Sequence, residues 1–363
     1  MRILFTGGGT GGHIMPIISV ARELNKLSSK IELHYIGPKS SFKLTGQENF
    51  KNHSIAAGKM RRYFAWQNFI DLPFKIPFSF LQSFFALLLI RPKLVFSKGG
   101  TGSLPVTYCA RILRIPVFMH ESDVAPGLSN KITSRWAKKI FVAFEKTEYF
   151  DQSKTFVVGN PIRKELLGGD KEEAIKFFNL TSQKPIILIS GGSSGATAIN
   201  EFILVVLNKL LQNYEVIHVS GPSNYKAVNI ESKAILSNKP LEKYYHLYEF
   251  LNQVQLKNAY TIADIVVSRA GASNIFEIAA VGKPAILIPL PSSASNHQLK
   301  NAYQYAKSGA AIVIEQESLS LNYFLEKIDS VISKSEKMKE AALGFAKPDA
   351  AEKIASEILN FKF

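Results

Sequence analysis

At 363 residues the chain is longer than a single hydrophobic core usually supports, so two domains are expected. A hydrophobic share of 46% excludes a mainly disordered chain, and the single cysteine, Cys109, excludes an internal disulfide and a cysteine-rich zinc site. A formal charge of +15 calls for an anionic partner, and without zinc-finger spacing or an RNP-type aromatic motif nucleic acid ranks below anionic lipid headgroups and phosphorylated substrates.

The chain opens MRILFTGGG, which reaches glycine after a short apolar run and lacks the apolar core of a signal peptide. A cytoplasmic protein is the expectation. Short β-branched or apolar runs at 3–6, 31–36, 94–96, 117–120 and 140–143 alternate with helical patterns, and the alternation resumes at 186–190, 216–220, 265–268, 285–289 and 311–314. That order predicts parallel sheets with crossover helices. Residues 78–90 are the most apolar stretch, flanked by Lys75, Arg91 and Lys93, and are too short to span a bilayer of about 30 Å. A buried or an interfacial helix fits them. With Arg61 and Arg62 beside Phe64, Trp66 and Phe69 upstream, the segment 60–93 is expected to dock on an anionic membrane surface.

Each half begins alike. ILFTGGGTGGH and ILISGGSSGA are both a buried strand, a glycine turn and a helix, as two tandem mononucleotide-binding domains would give. The segment VVGNPIRKELLGGDK between them is the expected linker, dividing the chain into 1–162 and 163–363; residues 350–359 form a last helix able to pack on either domain.

Glycines at a strand-to-helix turn let the backbone approach phosphate oxygens, and the following helix start favours negative charge. Gly7, Gly9 and Gly12 fit the spacing of a dinucleotide fingerprint, yet the second strand closes Ile36, Gly37, Pro38, Lys39 with no acidic residue for a ribose, so a nicotinamide cofactor is disfavoured. Alone, the turn is equally compatible with a structural role. A later stretch, SRAGASNIFEIAAVGKP followed by SNHQLKNA, is more informative: a strand ends at Ser268, and Glu277 sits in the early turns of the next helix. A carboxylate there can accept two hydrogen bonds from a ribose diol, or merely complement the helix dipole.

Taken together, GGGTGGH, FSKGG at 96–100, HESDVAPGLSNK at 120–131, GNPIR, GGSSGA and SRAGASNIFE with a later Gln298 resemble the MurG family of N-acetylglucosaminyltransferases, in order over essentially the whole chain. The resemblance implies the α/β GT-B class, two Rossmann-like parallel-sheet domains facing a central cleft. It implies inverting transfer of N-acetylglucosamine from UDP-N-acetylglucosamine to the muramyl C4 hydroxyl of lipid I, the undecaprenyl-linked muramyl peptide, giving lipid II for peptidoglycan synthesis. It also implies a peripheral place on the cytoplasmic face of the cell membrane, no cofactor and no nucleic-acid partner. No DxD motif occurs, so no metal is expected at the diphosphate.

By the same resemblance Thr10, Gly11 and Gly12 lie by the donor sugar and diphosphate, Arg163 and Ser193 match donor-contacting positions, and the backbone of Leu251 reads the uracil edge. Ala272, Ser273, Asn274, Ile275 and Phe276 form the helix start before Glu277 on the ribose, and Gln298 recognises sugar hydroxyls. Relatives commonly read HEQN where this chain has His120, Glu121, Ser122, Asp123; an ionised Asp123 accepts but cannot donate, so its donor-side contact is altered. His13, directly after the first turn, is the expected general base because imidazole is mostly neutral yet basic near neutral pH; Glu121 is the rival. The competing functions are a UDP-sugar epimerase or hydrolase of the same fold and a non-catalytic nucleotide-binding module.

Overall fold

The computed structural model describes residues 1–9, 11–56, 75–100, 102–147, 149–192 and 195–362. The chain forms two compact units, one of Met1–Arg163 with Lys347–Phe363 and one of Lys164–Ala346. The sequence placed the division between 162 and 163 and left the last helix unassigned; that helix belongs to the first unit.

In the first unit the described strands are β1 (Arg2–Thr6), β2 (Glu32–Gly37), β3 (Phe50–Ser54), β4 (Leu94–Ser97), β5 (Val117–Glu121), β6 (Lys139–Val142) and β7 (Thr155–Val157). They pair in parallel in the order β3-β2-β1-β4-β5-β6-β7. In the second, β8 (Ile186–Ser190), β9 (Glu215–Val219), β10 (Tyr245–Tyr248), β11 (Ile265–Ser268), β12 (Ala285–Leu287) and β13 (Ala311–Val313) pair in parallel as β10-β9-β8-β11-β12-β13. Each sheet therefore reverses its strand order once, between β1 and β4 and between β8 and β11. Loops diverge at such a point and leave a crevice beyond the carboxyl ends of the strands.

The central strands are buried on both faces, which is why they read as continuous apolar runs. All ten expected strands are present, with ends moved by a residue or two. Three were missed: β3 (FKNHS), β7 (TFV) and β10 (YHLY). All three are edge strands. An edge strand has one neighbour and needs less apolar side chain, so its periodicity is weak.

Helix α1 (Gly11–Leu27) buries Ile14, Ile17, Ile18, Ala21 and Leu24, spaced to form one helical face on the first sheet. The last helix (Ala350–Leu359) adds Ala351, Ile354, Ala355 and Ile358 to the same core, so the chain end closes the first unit. The helix Ile76–Ile90, here α2, buries Ser79, Ser83, Leu87 and Ile90 and packs Phe80 and Phe84 on the core, while Phe78, Leu81, Phe85, Leu88 and Leu89 on its other face are exposed. Its 15 residues reach only about 22 Å, and among the described residues no helix is long and apolar enough to cross a membrane.

Candidate functional site

In the first unit, β1 ends at Thr6 and the chain turns through Gly7, Gly8 and Gly9 into α1. The turn is packed too tightly for side chains. A Cβ on Gly7 would lie 2.8 Å from Ile17 Cδ1, and the Gly8 amide donates to Gly99 O at 2.8 Å, tying this turn to the one after β4. Gly100, at φ +83°, completes the fit, because a Cβ there would stand 2.8 Å from Gly8 Cα and 3.1 Å from His13 Nε2. The His13 ring is thus half-buried with Nε2 resting over Gly100. Gly11 and Gly12 have open space where a side chain would be. Thr10 lies outside the described residues.

A buried polar network that the sequence reading did not anticipate lies at the ends of β4 and β5. Lys98 is 3% exposed; its Nζ donates to Ser122 Oγ at 2.6 Å, and Ser122 in turn donates to Asn160 Oδ1. Burial pulls the Lys98 pKa down, opposed by the Glu121 and Asp123 carboxylates. His120 Nε2 donates to Gly159 O at 2.9 Å, and burial, with Lys98 adding, keeps this ring's pKa well below its ordinary value. The signal for this network was three polar residues, Lys98, Ser122 and Asn160, each directly following an apolar strand or turn.

Glu121 is 4% exposed and takes three hydrogen bonds: Asp123 N at 3.0 Å on Oε1, and Gly127 N at 3.1 Å and Asn130 Nδ2 at 2.9 Å on Oε2. Burial raises its pKa, Asp123 adds to the rise and Lys98 opposes it. The carboxylate holds the loop after β5 in shape. Asp123 and Arg163 are half-buried.

In the second unit the turn after β8 runs through Gly192, at φ +87°, and Gly195, at φ +76°, where a Cβ would lie 2.3 Å from Ser220 O. Ser193 and Ser194 lie outside the described residues. After β11, Arg269 is clamped: Nη1 donates to Ile288 O and Pro289 O, both at 3.2 Å, and Nη2 to Gln316 Oε1 at 2.8 Å. Gly271 caps the helix Ala272–Ala280, here α3, and nothing stands within 4 Å of its would-be Cβ. The amides of Ala272, Ser273 and Asn274 open that helix and have no partner in the helix itself, the arrangement that receives anions.

Asn274 Nδ2 donates to Ser268 Oγ at 3.1 Å. Ile275 and Phe276 send their side chains into the core, Phe276 packing at 5.2 Å from the Phe345 ring, so these two offer a ligand only backbone. Glu277 is 5% exposed, in the second helical turn. Leu251, also 5% exposed, follows β10 just before the capping box Asn252–Gln255. Gln298 Oε1 accepts from Leu290 N at 3.0 Å, which leaves its amide nitrogen as the donor.

Two parallel sheets, one of order 3-2-1-4-5-6-7 and one that, counted from β8, runs 3-2-1-4-5-6, each with a glycine turn at its switch point, define an α/β protein of two Rossmann-like, nucleotide-binding units. The description "Glycosyltransferase family 28 N-terminal domain" matches residues 3–142, and "Glycosyltransferase family 28 C-terminal domain" matches residues 186–354. The UDP-N-acetylglucosamine–N-acetylmuramyl-(pentapeptide) pyrophosphoryl-undecaprenol N-acetylglucosamine transferase of Clostridium perfringens (strain SM101 / Type A) is 39% identical over 351 residues, 94% of each chain. The crystal structure of Acinetobacter baumannii MurG superposes with a TM-score of 0.77 at 25% identity, covering 99% of both chains. A UDP-GlcNAc 2-epimerase from Neisseria meningitidis, solved bound to UDP-GlcNAc, gives 0.70 at 16% identity over 99% of this chain and 100% of that one, a likeness of fold alone. The chain belongs to the MurG family within glycosyltransferase family 28.

Proposed function

We propose that this protein transfers N-acetylglucosamine from UDP-N-acetylglucosamine to the C4 hydroxyl of the muramyl sugar of lipid I, giving lipid II. The observation that carries the reading is the 39% identity to a transferase of that name across 94% of the chain. An epimerase shares only the fold, at 16% identity.

The donor is held in the second unit. Glu277 accepts from the ribose diol, the Leu251 backbone meets the uracil edge, and the first amides of α3 with Ser193 carry the diphosphate. Gln298 donates its amide to a sugar hydroxyl, and a wrong epimer would leave that half-buried donor unpaired. In the first unit Gly11 and Gly12 present open backbone of the kind that suits phosphate oxygens, and Asp123 is a half-buried acceptor.

His13 Nε2 takes the proton of the C4 hydroxyl as that oxygen attacks the anomeric carbon; UDP leaves from the opposite face with the bonding pair, and the configuration inverts. His13 is favoured over Glu121 because both Glu121 oxygens are already engaged by Asp123, Gly127 and Asn130. The acceptor's lipid tail calls for a membrane surface, and the exposed apolar face of α2 with Lys75, Arg91 and Lys93 suits the cytoplasmic leaflet.

The test is to incubate the pure protein with UDP-N-acetylglucosamine and a short-chain lipid I analogue. Disaccharide formed only with both substrates is expected. Epimerised or hydrolysed sugar formed equally without acceptor would overturn the reading.

A further inference from the structure

At the opposite end of the first sheet from its glycine turn is a cavity of about 620 Å³, within the size range of small-molecule sites. Its wall is made where the chain enters β4, β5 and β6, at the amino ends of those strands. Strands of four or five residues put this cavity roughly 13–16 Å from the turns at their carboxyl ends.

The lining is one-signed. Lys93, Arg111, Arg114, Lys138 and Lys362 surround it, no acidic residue lines it, and among the described residues none of the five has a carboxylate partner. Some cations elsewhere in the same unit are paired, as Lys139 is with Glu357 and Arg22 with Glu48, whereas these five are gathered around one cavity with no acid among its lining residues. Five like charges gathered around one cavity repel each other and cost stability unless an anion enters. The wall also offers a flat apolar surface: Arg111 lies 5.4 Å over the Trp136 ring, and Phe361 is fixed edge-on to Phe118 at 5.1 Å, which brings Lys362 to the rim. Arg groups of this kind suit phosphate oxygens because their planar forks bind two at once.

We propose that this cavity is a binding site for a phosphate-bearing ligand with two or more negative charges, separate from the transfer site. The charge and position are those of a regulatory or anchoring site, read by Arg111, Arg114 and Lys138 acting together.

Trp136 and Trp66 are the two tryptophans of the chain, so a Trp66→Phe background turns Trp136 into a single fluorescent reporter in the cavity wall. Inorganic diphosphate would be titrated against this protein and against the same background carrying Arg111→Gln and Lys138→Gln, two exposed positions where loss of charge should leave the fold intact. A saturable change in Trp136 emission, weakened at least tenfold in the double variant, is expected. Phosphatidylcholine vesicles with and without phosphatidic acid form the second arm. A response to free diphosphate with none to phosphatidic acid assigns the site to a soluble ligand, and the reverse assigns it to a lipid headgroup. No response to either probe, or a response that the double variant leaves unchanged while circular dichroism shows it folded, would overturn the proposal.

Discussion

Replacing Glu277 with alanine should weaken UDP binding while leaving the second unit folded. The side chain is 5% exposed, in the second turn of the helix that follows β11, so a ribose diol would meet a carboxylate shielded from water. Two hydrogen bonds to a charged acceptor are worth about 1.5–3 kcal/mol each, giving a ceiling of roughly 3–6 kcal/mol, from which water bonding regained by the free diol subtracts. A loss of affinity of at least about tenfold remains. Isothermal titration of UDP and of 2′-deoxy-UDP into both proteins checks the contact by a thermodynamic cycle. If the carboxylate binds the diol, deleting the 2′-hydroxyl should hurt the wild type and hardly affect Glu277→Ala, so the two losses fall short of adding. Unchanged UDP affinity in the folded variant, or fully additive losses, would leave Glu277 as a residue that only complements its helix.

His13→Ala should lower turnover by about a hundredfold or more at saturating substrates with UDP affinity little changed, whereas loss mainly of UDP affinity would make His13 a phosphate ligand. Gly100→Ala should act on the same residue indirectly: at φ +83° a Cβ is strained and stands 3.1 Å from His13 Nε2, so stability should fall by about 1 kcal/mol or more and turnover with it, while UDP affinity holds. His218, fully buried between Asn200 and Tyr245, has its pKa pulled by burial to about 3, below the ordinary imidazole value. The unfolded chain therefore binds the extra proton first as pH falls, so the stability this neutral ring contributes is whole above about pH 6.5 and is lost towards pH 3, at up to about 1.4 kcal/mol per unit. Urea unfolding across that window should show a shallower pH slope for His218→Gln, and an unchanged slope would refute the assignment.

The sequence was most legible where burial is symmetrical. Strands such as 186–190 and 265–268 are covered on both faces and so spell out apolar runs with sharp ends, and the turns beside them are marked by glycines that no other residue can replace without strain, as at Gly100 and Gly195. It was least legible where a residue's partner comes from far along the chain. Lys98, Ser122 and Asn160 are separated by 24 and 38 residues, and nothing local says that the lysine will be buried. The apolar helix at Ile76–Ile90 was legible only as a buried or an interfacial segment, and the fold divides its residues: Ser79, Ser83, Leu87 and Ile90 are buried with Phe80 and Phe84 packed beside them, while Phe78, Leu81, Phe85, Leu88 and Leu89 are exposed.

The same distinction separates the two candidate bases. From residue types alone His13 is preferred and Glu121 is the rival, the one directly after a glycine turn and the other at the end of β5. Glu121 has both oxygens committed to the loop it supports, and taking up a proton on either would weaken hydrogen bonds from Gly127 and Asn130 or from Asp123 that hold the loop. Its raised pKa is thus a consequence of a structural post set in a dry place beside Asp123. His13 has its ring half-buried against a glycine that provides space and no side chain, at the switch point where the strand order of its sheet reverses. A base must be able to gain a proton without unmaking the site around it, and Glu121, with both oxygens holding its loop, does not meet that condition.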